Sequence, residues 1–116
     1  MINNKIDKLY WYKAYVTKVY DGDTITVDID LGFGIIMKKK VIRLAGINTP
    51  EIRGEERESG LISRGWLKDK ILNKNITINT IKDTTGKYGR YLAYLYLDDE
   101  NLNESMLSNG LAIPYN

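Results

Sequence analysis

Two residue types that supply much of enzyme chemistry are missing from this chain of 116 residues, which contains neither cysteine nor histidine. The absence of cysteine excludes disulfide bonds, thiolate metal sites and a cysteine nucleophile. The absence of histidine excludes the Ser-His-Asp triad and every imidazole metal ligand. Any catalysis must therefore rely on carboxylates, lysine, arginine, tyrosine, hydroxyl groups or a hard metal ion held by oxygen atoms.

An excess of one charge and long apolar runs are also lacking. The 17 Lys and Arg residues against 15 Asp and Glu give a net charge of +2, which is too small for a strongly basic nucleic-acid coat. No stretch approaches the 18 or so consecutive apolar residues of a membrane span, so we expect no membrane partner. Residues 1–11 alternate polar and apolar side chains and lack the apolar core of a secretory signal. We therefore expect a cytoplasmic protein.

The length and composition fit one domain over residues 1–116. A chain of this size buries roughly two thirds of the surface that its unfolded form exposes, which suffices for a core without crosslinks. Hydrophobic residues make up 43% and charged residues 28%, a balance typical of a globular protein rather than a disordered one. We expect this domain to be a monomer.

The spacing of apolar residues predicts five strands and two helices in the order β-β-β-α-β-β-α. The predicted strands cover residues 10–20, 24–31, 35–45, 76–81 and 90–97. A broad apolar stripe predicts a helix over residues 58–73, and Asn103 is expected to cap a second, short helix that ends at Asn109-Gly110. This order is that of the OB-fold, a mainly β protein built as a five-stranded barrel with helices packed against it. The pattern does not show whether the barrel closes.

Three short segments are candidates for a functional site. They are DGDT at residues 21–24, RLAGINTPE at residues 43–51 and KYGR at residues 87–90. Each alone has an ordinary structural interpretation, since DGD is common at hairpin turns and arginine within a strand is usually exposed. Together and in this order they resemble the staphylococcal nuclease (thermonuclease) family, whose pattern is DGDT, then R-x-x-G-[ID]-[ND]-[TA]-P-E, then Y-G-R.

Agreement at residues 92–94, 103–104 and 110–112 extends this resemblance to a staphylococcal-nuclease-like domain over about residues 12–113. The resemblance implies an OB barrel and a metal-dependent hydrolase. In that family the activity is that of an endonuclease, a phosphodiesterase that cleaves single-stranded DNA and RNA. We therefore expect single-stranded nucleic acid as the substrate.

For a metal ion, the resemblance implies ligands that are all oxygen atoms. The calcium ligands are the carboxylate of Asp23, the side chain of Asn48 and the backbone carbonyl of Thr49, with Asp21 just outside them. Calcium accepts carboxylates, amides and backbone carbonyls. The type member of the family has Asp where this chain has Asn48, so one negative charge is lost beside the cation. Other divalent cations therefore stay open as the cofactor.

For catalysis, the resemblance implies that Glu51 orients or deprotonates the attacking water and that Arg43 and Arg90 bind the scissile phosphate. Lys87 and Tyr88 match positions that contact the nucleotide. Guanidinium forks suit this chemistry because each bonds two phosphate oxygens and stabilises the negative charge of the transition state. In a chain without histidine, Glu51 is the available proton acceptor.

A second function stays open, because OB folds also bind single strands without cutting them. The alternative is thus a non-catalytic module that binds single-stranded nucleic acid. The combination of Arg43, Glu51 and Arg90 with Asp23 favours the enzyme, since a binding module has no need for that set. Tyr115 is a candidate for the tyrosine that stacks on the nucleotide in this family.

Overall fold

The computed structural model describes residues 9–85 and 87–115. Within these ranges the strands are β1 (Trp11–Asp21), β2 (Thr24–Gly32), β3 (Ile35–Leu44), β4 (Ile47–Asn48), β5 (Asn75–Thr85), β6 (Tyr91–Leu97), β7 (Glu100–Asn101) and β8 (Ile113–Pro114). The helices are α1 (Arg57–Ile71) and α2 (Leu102–Ser108). Short 3-10 turns at Gly54–Glu56 and Lys87–Gly89 precede α1 and β6.

Five strands close into a barrel. The strands β3, β2, β1, β5 and β6 lie side by side as antiparallel neighbours. β6 then pairs with β3 in parallel, so that Arg43 lies opposite Leu92. The predicted OB-type barrel is confirmed, and this last pairing supplies the closure that the sequence pattern could not show. It also brings Arg43 close to the start of β6, which Arg90 immediately precedes.

Alternation along β2 fills the barrel with branched apolar side chains. Ile25, Val27 and Ile29 are buried, as expected for one face of a strand. Leu31 has the same parity but is 37% exposed. The pairing of β2 with β3 shifts register between Asp30 and Gly32, so Leu31 no longer faces the barrel interior.

Helix α1 covers the barrel with a narrower apolar face than its sequence suggests. The apolar stripe of residues 58–73 includes Leu61 and Ile62, yet these are exposed, whereas Leu67 and Ile71 are buried. The buried positions are 60, 63, 67 and 71, a spacing of three or four residues that matches one helix face. Neither helix of the described ranges has the length and the apolar sequence that a membrane crossing takes.

Asn103 does not cap α2, and that prediction is wrong. The cap is Asn101, whose side chain accepts a hydrogen bond from the backbone N–H of Glu104 at 3.1 Å. Asn103 is buried within the helix; its amide donates to the carbonyl of Ala45 at 2.8 Å and accepts from the N–H of Leu95 at 3.0 Å. Its side chain thereby satisfies backbone groups that the barrel strands leave unpaired, and it ties α2 to the end of β3.

Residues 46–57, which lie between the predicted third strand and the predicted first helix, contain β4 and a 3-10 turn. β4 pairs with β8 in a small antiparallel sheet, with Asn48 opposite Ile113. The backbone N–H of Tyr115 also donates to the carbonyl of Gly46 at 2.9 Å. This small sheet holds the segment between β3 and α1 against the end of the barrel.

Candidate active site

The turn between β1 and β2 carries two carboxylates. Asp21 ends β1, and its Oδ1 accepts a hydrogen bond from the backbone N–H of Asp23 at 3.0 Å, as Asp commonly does in tight turns. A Cβ at the intervening Gly22 would lie 2.8 Å from Cγ2 of Thr49. Glycine therefore lets the turn pack against Thr49, which follows β4.

Asp23 is enclosed by polar partners. Its Oδ2 accepts a hydrogen bond from the N–H of Thr49 at 3.0 Å and lies 3.5 Å from Nη1 of Arg43. Its Oδ1 accepts from the hydroxyl of Thr24 at 3.1 Å. Because a buried carboxylate is stable only when it is paired, these contacts join three of the sequence-predicted site residues directly.

Arg43 is 9% exposed and is held by backbone carbonyls as well as by Asp23. Its Nη1 donates to the carbonyls of Leu44 at 3.0 Å and Ile47 at 2.9 Å. Its Nη2 donates to Oδ1 of Asn48 at 3.3 Å. The guanidinium plane is thus fixed at the end of β3, in contact with the residue predicted to bind the metal ion.

Burial and the neighbouring carboxylate of Asp23 change the protonation of Asp21. Burial, which has the largest effect, together with the hydrogen bond and the negative charge of Asp23 raises the pKa of Asp21 from its ordinary 3.8 to about 6. Hydrogen bonds from the backbone N–H groups of Asp23 and Thr24 act the opposite way. A cation beside the turn would relieve this repulsion between like charges.

The donors around the turn fit a hard cation, although their charge is low. Carboxylate, amide and carbonyl oxygens from Asp23, Asn48 and Thr49 are ligand types that calcium accepts. Among the described residues the buried hydroxyl of Thr49 has no hydrogen-bond partner, which is unusual for an enclosed polar atom and is consistent with a polar ligand at this place. No group of three acidic side chains placed to hold a metal occurs within residues 9–85 and 87–115.

Glu51 lies next to this cluster rather than within it. It is exposed, and with Asn48 and Thr49 it lines a cavity of about 170 Å³. Its backbone N–H donates to Oε1 of Glu56 at 3.2 Å. In the described part of the chain its carboxylate has no hydrogen bond or ion pair, so it is available to a water molecule or a substrate.

A larger cavity, of about 520 Å³, is lined by both arginines. Nε of Arg90 is buried without a hydrogen-bond partner in the described structure, and its Cζ lies 5.2 Å from the centroid of the Tyr88 ring. Cζ of Arg43 lies 5.4 Å from the ring centroid of Tyr115. Tyr94 lines the same cavity. Guanidinium donors beside aromatic rings can bind a phosphate and stack a base.

The structure thus brings most of the sequence-predicted residues together, in two adjoining groups. The side chain of Lys87 lies outside the described residues, so its contact with a nucleotide stays a prediction. Sequence reasoning missed Tyr94 as a lining residue, although alternation along β6 places it on the outward face with Leu92. It also missed Gly60, for which the sequence carries no signal.

Known proteins similar to this chain include several that are named as nucleases. The sequence profile of the family described as staphylococcal nuclease homologue matches residues 41–116. A thermonuclease of Staphylococcus intermedius is 32% identical over an alignment of 100 residues, which spans 84% of this chain and 56% of that protein. For a thermonuclease of Staphylococcus hyicus the identity is 33%, with the same coverage. A Haemophilus influenzae protein named as an uncharacterized endonuclease is 33% identical over 86% of this chain and 51% of its own length. The chain therefore spans about half the length of these relatives.

Proposed function

This chain belongs to the family of staphylococcal nuclease homologues, and from that premise we propose that it hydrolyses phosphodiester bonds in single-stranded DNA and RNA. The observation that carries the proposal is the shared cavity of Arg43 and Arg90, one of which contacts the buried carboxylate of Asp23. Two guanidinium groups at one cavity form a site for a phosphodiester, which carries negative charge.

The two arginines would bind the scissile phosphate and stabilise its transition state. Nε of Arg90 is buried without a partner in the part of the chain that the structure describes, so it has a donor to offer an incoming oxygen. Arg43 is held in place by carbonyls and by Asp23, which preorganises its charge. Donors that are fixed before the reaction stabilise developing charge without a cost of reorganisation.

Glu51 would act as the general base. Its carboxylate is exposed beside Asn48 and Thr49, and no group of residues 9–85 and 87–115 is hydrogen-bonded to its oxygens. It would take a proton from water as the new oxygen–phosphorus bond forms and the bond to the leaving oxygen breaks.

Asp23, Asn48 and the carbonyl of Thr49 would hold a calcium ion, with Asp21 close by. A bound divalent cation would supply positive charge near the phosphate. Three observations support this assignment: the all-oxygen donor set, the repulsion between Asp21 and Asp23, and the hydroxyl of Thr49, which is unpartnered among the described residues.

Single strands fit the site better than duplexes. The cavity of Arg43 and Arg90, here called the arginine cavity, is also lined by Tyr88, Tyr94 and Tyr115. A base can stack on such rings only when it is unstacked from its own neighbours. Lys87 and Tyr88, which lead into β6, would contact the nucleotide.

Among the proposed metal ligands Asp23, Asn48 and Thr49, only Asp23 carries a negative charge. This low charge favours one alternative, a module that binds single strands without cutting them. Digestion of single-stranded DNA and RNA with calcium, magnesium, manganese or excess EDTA separates the two functions. We expect cleavage with a divalent cation and none in EDTA. Tight binding without cleavage under every condition would support the module, and undiminished cleavage in EDTA would contradict the metal assignment.

A further inference from the structure

Helix α1 approaches the backbone of Glu51 so closely that only glycine fits between them. A Cβ built on Gly60 would lie 2.5 Å from the carbonyl carbon of Glu51 and 2.9 Å from the backbone nitrogen of Ile52. It would lie closer still to the carbonyl oxygen of Glu51. Backbone atoms cannot yield as the end of a flexible side chain does, so any larger residue at position 60 must displace Glu51 or the helix.

The helix itself does not require glycine at this position. Gly60 lies inside α1 and is not among the glycines with positive φ, so its backbone conformation is open to any residue. Glycine weakens a helix relative to alanine. The close contact with Glu51 is therefore the feature of the structure that accounts for glycine here.

Glu51 is also held from its other side. Its backbone N–H donates to Oε1 of Glu56 at 3.2 Å, and Glu56 ends the 3-10 turn that leads into α1. Pro50 restricts the backbone just before Glu51. Glu56, just before α1, thus contacts the N–H of the residue that would accept the proton, and Gly60, within α1, lies against its C=O.

We propose that Gly60 is a positioning residue for Glu51. By lacking a side chain, it lets α1 set the backbone from which the Glu51 carboxylate reaches the cavity that Asn48 and Thr49 line. This inference rests on the proposed function, in which Glu51 is the general base. Gly60 itself touches neither the substrate nor the reacting atoms.

The same helix offers a matched control at Gly65. A Cβ on Gly65 would have no atom within 4 Å outside the helix backbone and its chain neighbours. Gly65→Ala should therefore raise Tm by about 2–6 °C through helix propensity alone. Gly60→Ala makes the same chemical change against the backbone of Glu51.

The first readout needs no activity. In ¹⁵N–¹H spectra of the folded, metal-free protein, we expect Gly60→Ala to shift the amide resonances of Glu51 and Ile52. Gly65→Ala should leave those two resonances in place. Unchanged resonances of Glu51 and Ile52 in folded Gly60→Ala protein would overturn the proposal, whether or not the protein cleaves nucleic acid.

The second readout is the split between kcat and KM on a single-stranded oligonucleotide. We expect Gly60→Ala to lower kcat about 10–100-fold, since small misplacements of a catalytic group have effects of this size. KM should change less than about threefold, because both arginines keep their surroundings. In a Glu51→Gln background, Gly60→Ala should lower kcat by less than about a further threefold, because its effect on kcat is exerted through Glu51. The proposal would be overturned by a wild-type kcat in Gly60→Ala. It would also be overturned if Gly60→Ala lowered kcat by the full factor of about 10–100 in the Glu51→Gln background.

Two further outcomes are distinguishable. If the wild-type protein cleaves no nucleic acid, the proposed function fails, and the amide resonances still decide whether Gly60 sets the Glu51 backbone. If Gly60→Ala does not fold, Glu56→Ala loosens the same backbone from its N–H side. That variant should shift the Glu51 resonance and lower kcat about 3–10-fold by the same misplacement, and wild-type values for both would contradict the positioning of Glu51 by the start of α1.

Discussion

Oδ1 of Asn48 accepts a hydrogen bond from Nη2 of Arg43 at 3.3 Å. The residue assigned to the metal ion and a residue assigned to the phosphate are therefore in direct contact. Because Asn48 is neutral, Asp23 is the carboxylate that balances the charge of Arg43. A change of charge at position 48 should consequently act on the metal site and on the arginine together.

Asn48→Asp is expected to tighten calcium binding about tenfold or more, or at least ~1.4 kcal/mol. The number of charged ligands is one of the factors that set calcium affinity, and this variant adds a second carboxylate to Asp23. Turnover at saturating calcium should change less.

Calorimetric titration measures the affinity, with Asn75→Asp as an exposed control of equal charge. The gain should shrink below about pH 5, where the new carboxylate protonates. Equal affinities would mean that Asn48 does not face the ion.

Arg90→Lys and Arg43→Lys should each lower the rate about 10²–10³-fold, or roughly 3–4 kcal/mol, because lysine keeps the charge but not the fork. Their stabilities should differ. Arg43 donates to the carbonyls of Leu44 and Ile47, so Arg43→Lys should also lose about 1–3 kcal/mol of unfolding free energy. Arg90→Lys should unfold like the wild type. Steady-state kinetics and urea unfolding check both, and either variant with more than about a third of wild-type activity would refute its assignment.

Glu51→Gln should remove most activity, at least about 100-fold, since general bases contribute on this scale. Affinity for a single-stranded oligonucleotide should persist, because the arginine cavity is untouched. Fluorescence anisotropy and kinetics measure the two quantities. Glu55→Gln, on the neighbouring 3-10 turn, is the matched control and should stay active. Activity retained in Glu51→Gln would instead point to Glu55 or Glu56 as the base.

With EDTA present, Asp21→Asn should stabilise the protein above pH 6. Burial beside Asp23 raises the pKa of Asp21 from 3.8 to about 6, so the folded protein binds this proton more tightly than the unfolded chain does. The ionised carboxylate thus destabilises the fold at high pH, and the effect disappears as the pH falls from 6 to below 4. The full shift corresponds to ~3 kcal/mol, which solvent screening at a partly exposed group reduces to ~1–2 kcal/mol.

Urea unfolding followed by tryptophan fluorescence at pH 7.5 and pH 4 measures this difference. Asp69→Asn, which removes an exposed carboxylate from α1, is the control and should show no such pH-dependent gain. Identical midpoints for the wild type and Asp21→Asn at pH 7.5 would contradict the predicted repulsion.

The sequence predicted those parts of the molecule that depend on neighbouring residues. Alternation located the long strands, and the three motifs placed Asp23, Arg43 and Arg90 at strand ends. What it missed depends on contacts between distant segments. Asparagine is a residue type that often caps helices. The amide of Asn103 instead forms hydrogen bonds with the backbone of Leu95 and of the distant Ala45.

The same limitation applies to the faces of helices and to very short strands. Leu61 is apolar like Leu67, and only the position of the barrel decides which of them is buried. β4 and β8 have two residues each, which is too few to show the apolar–polar alternation that marks a strand. The closeness of Gly60 to Glu51 depends on the packing of a helix on a loop, which has no local pattern.

From the pairing of β4 with β8 we expect a definite order in which the site forms during synthesis. Asn48 emerges from the ribosome early, whereas Ile113, its partner across the small sheet, emerges after the barrel strands. Contacts between residues so far apart in sequence form late, since closing a long loop costs entropy before the contact repays it. We therefore expect a nascent chain to pair its barrel strands while the segment that carries Asn48 and Thr49 still lacks its β-partner, so that the proposed metal ligands of this segment would come into place after the barrel.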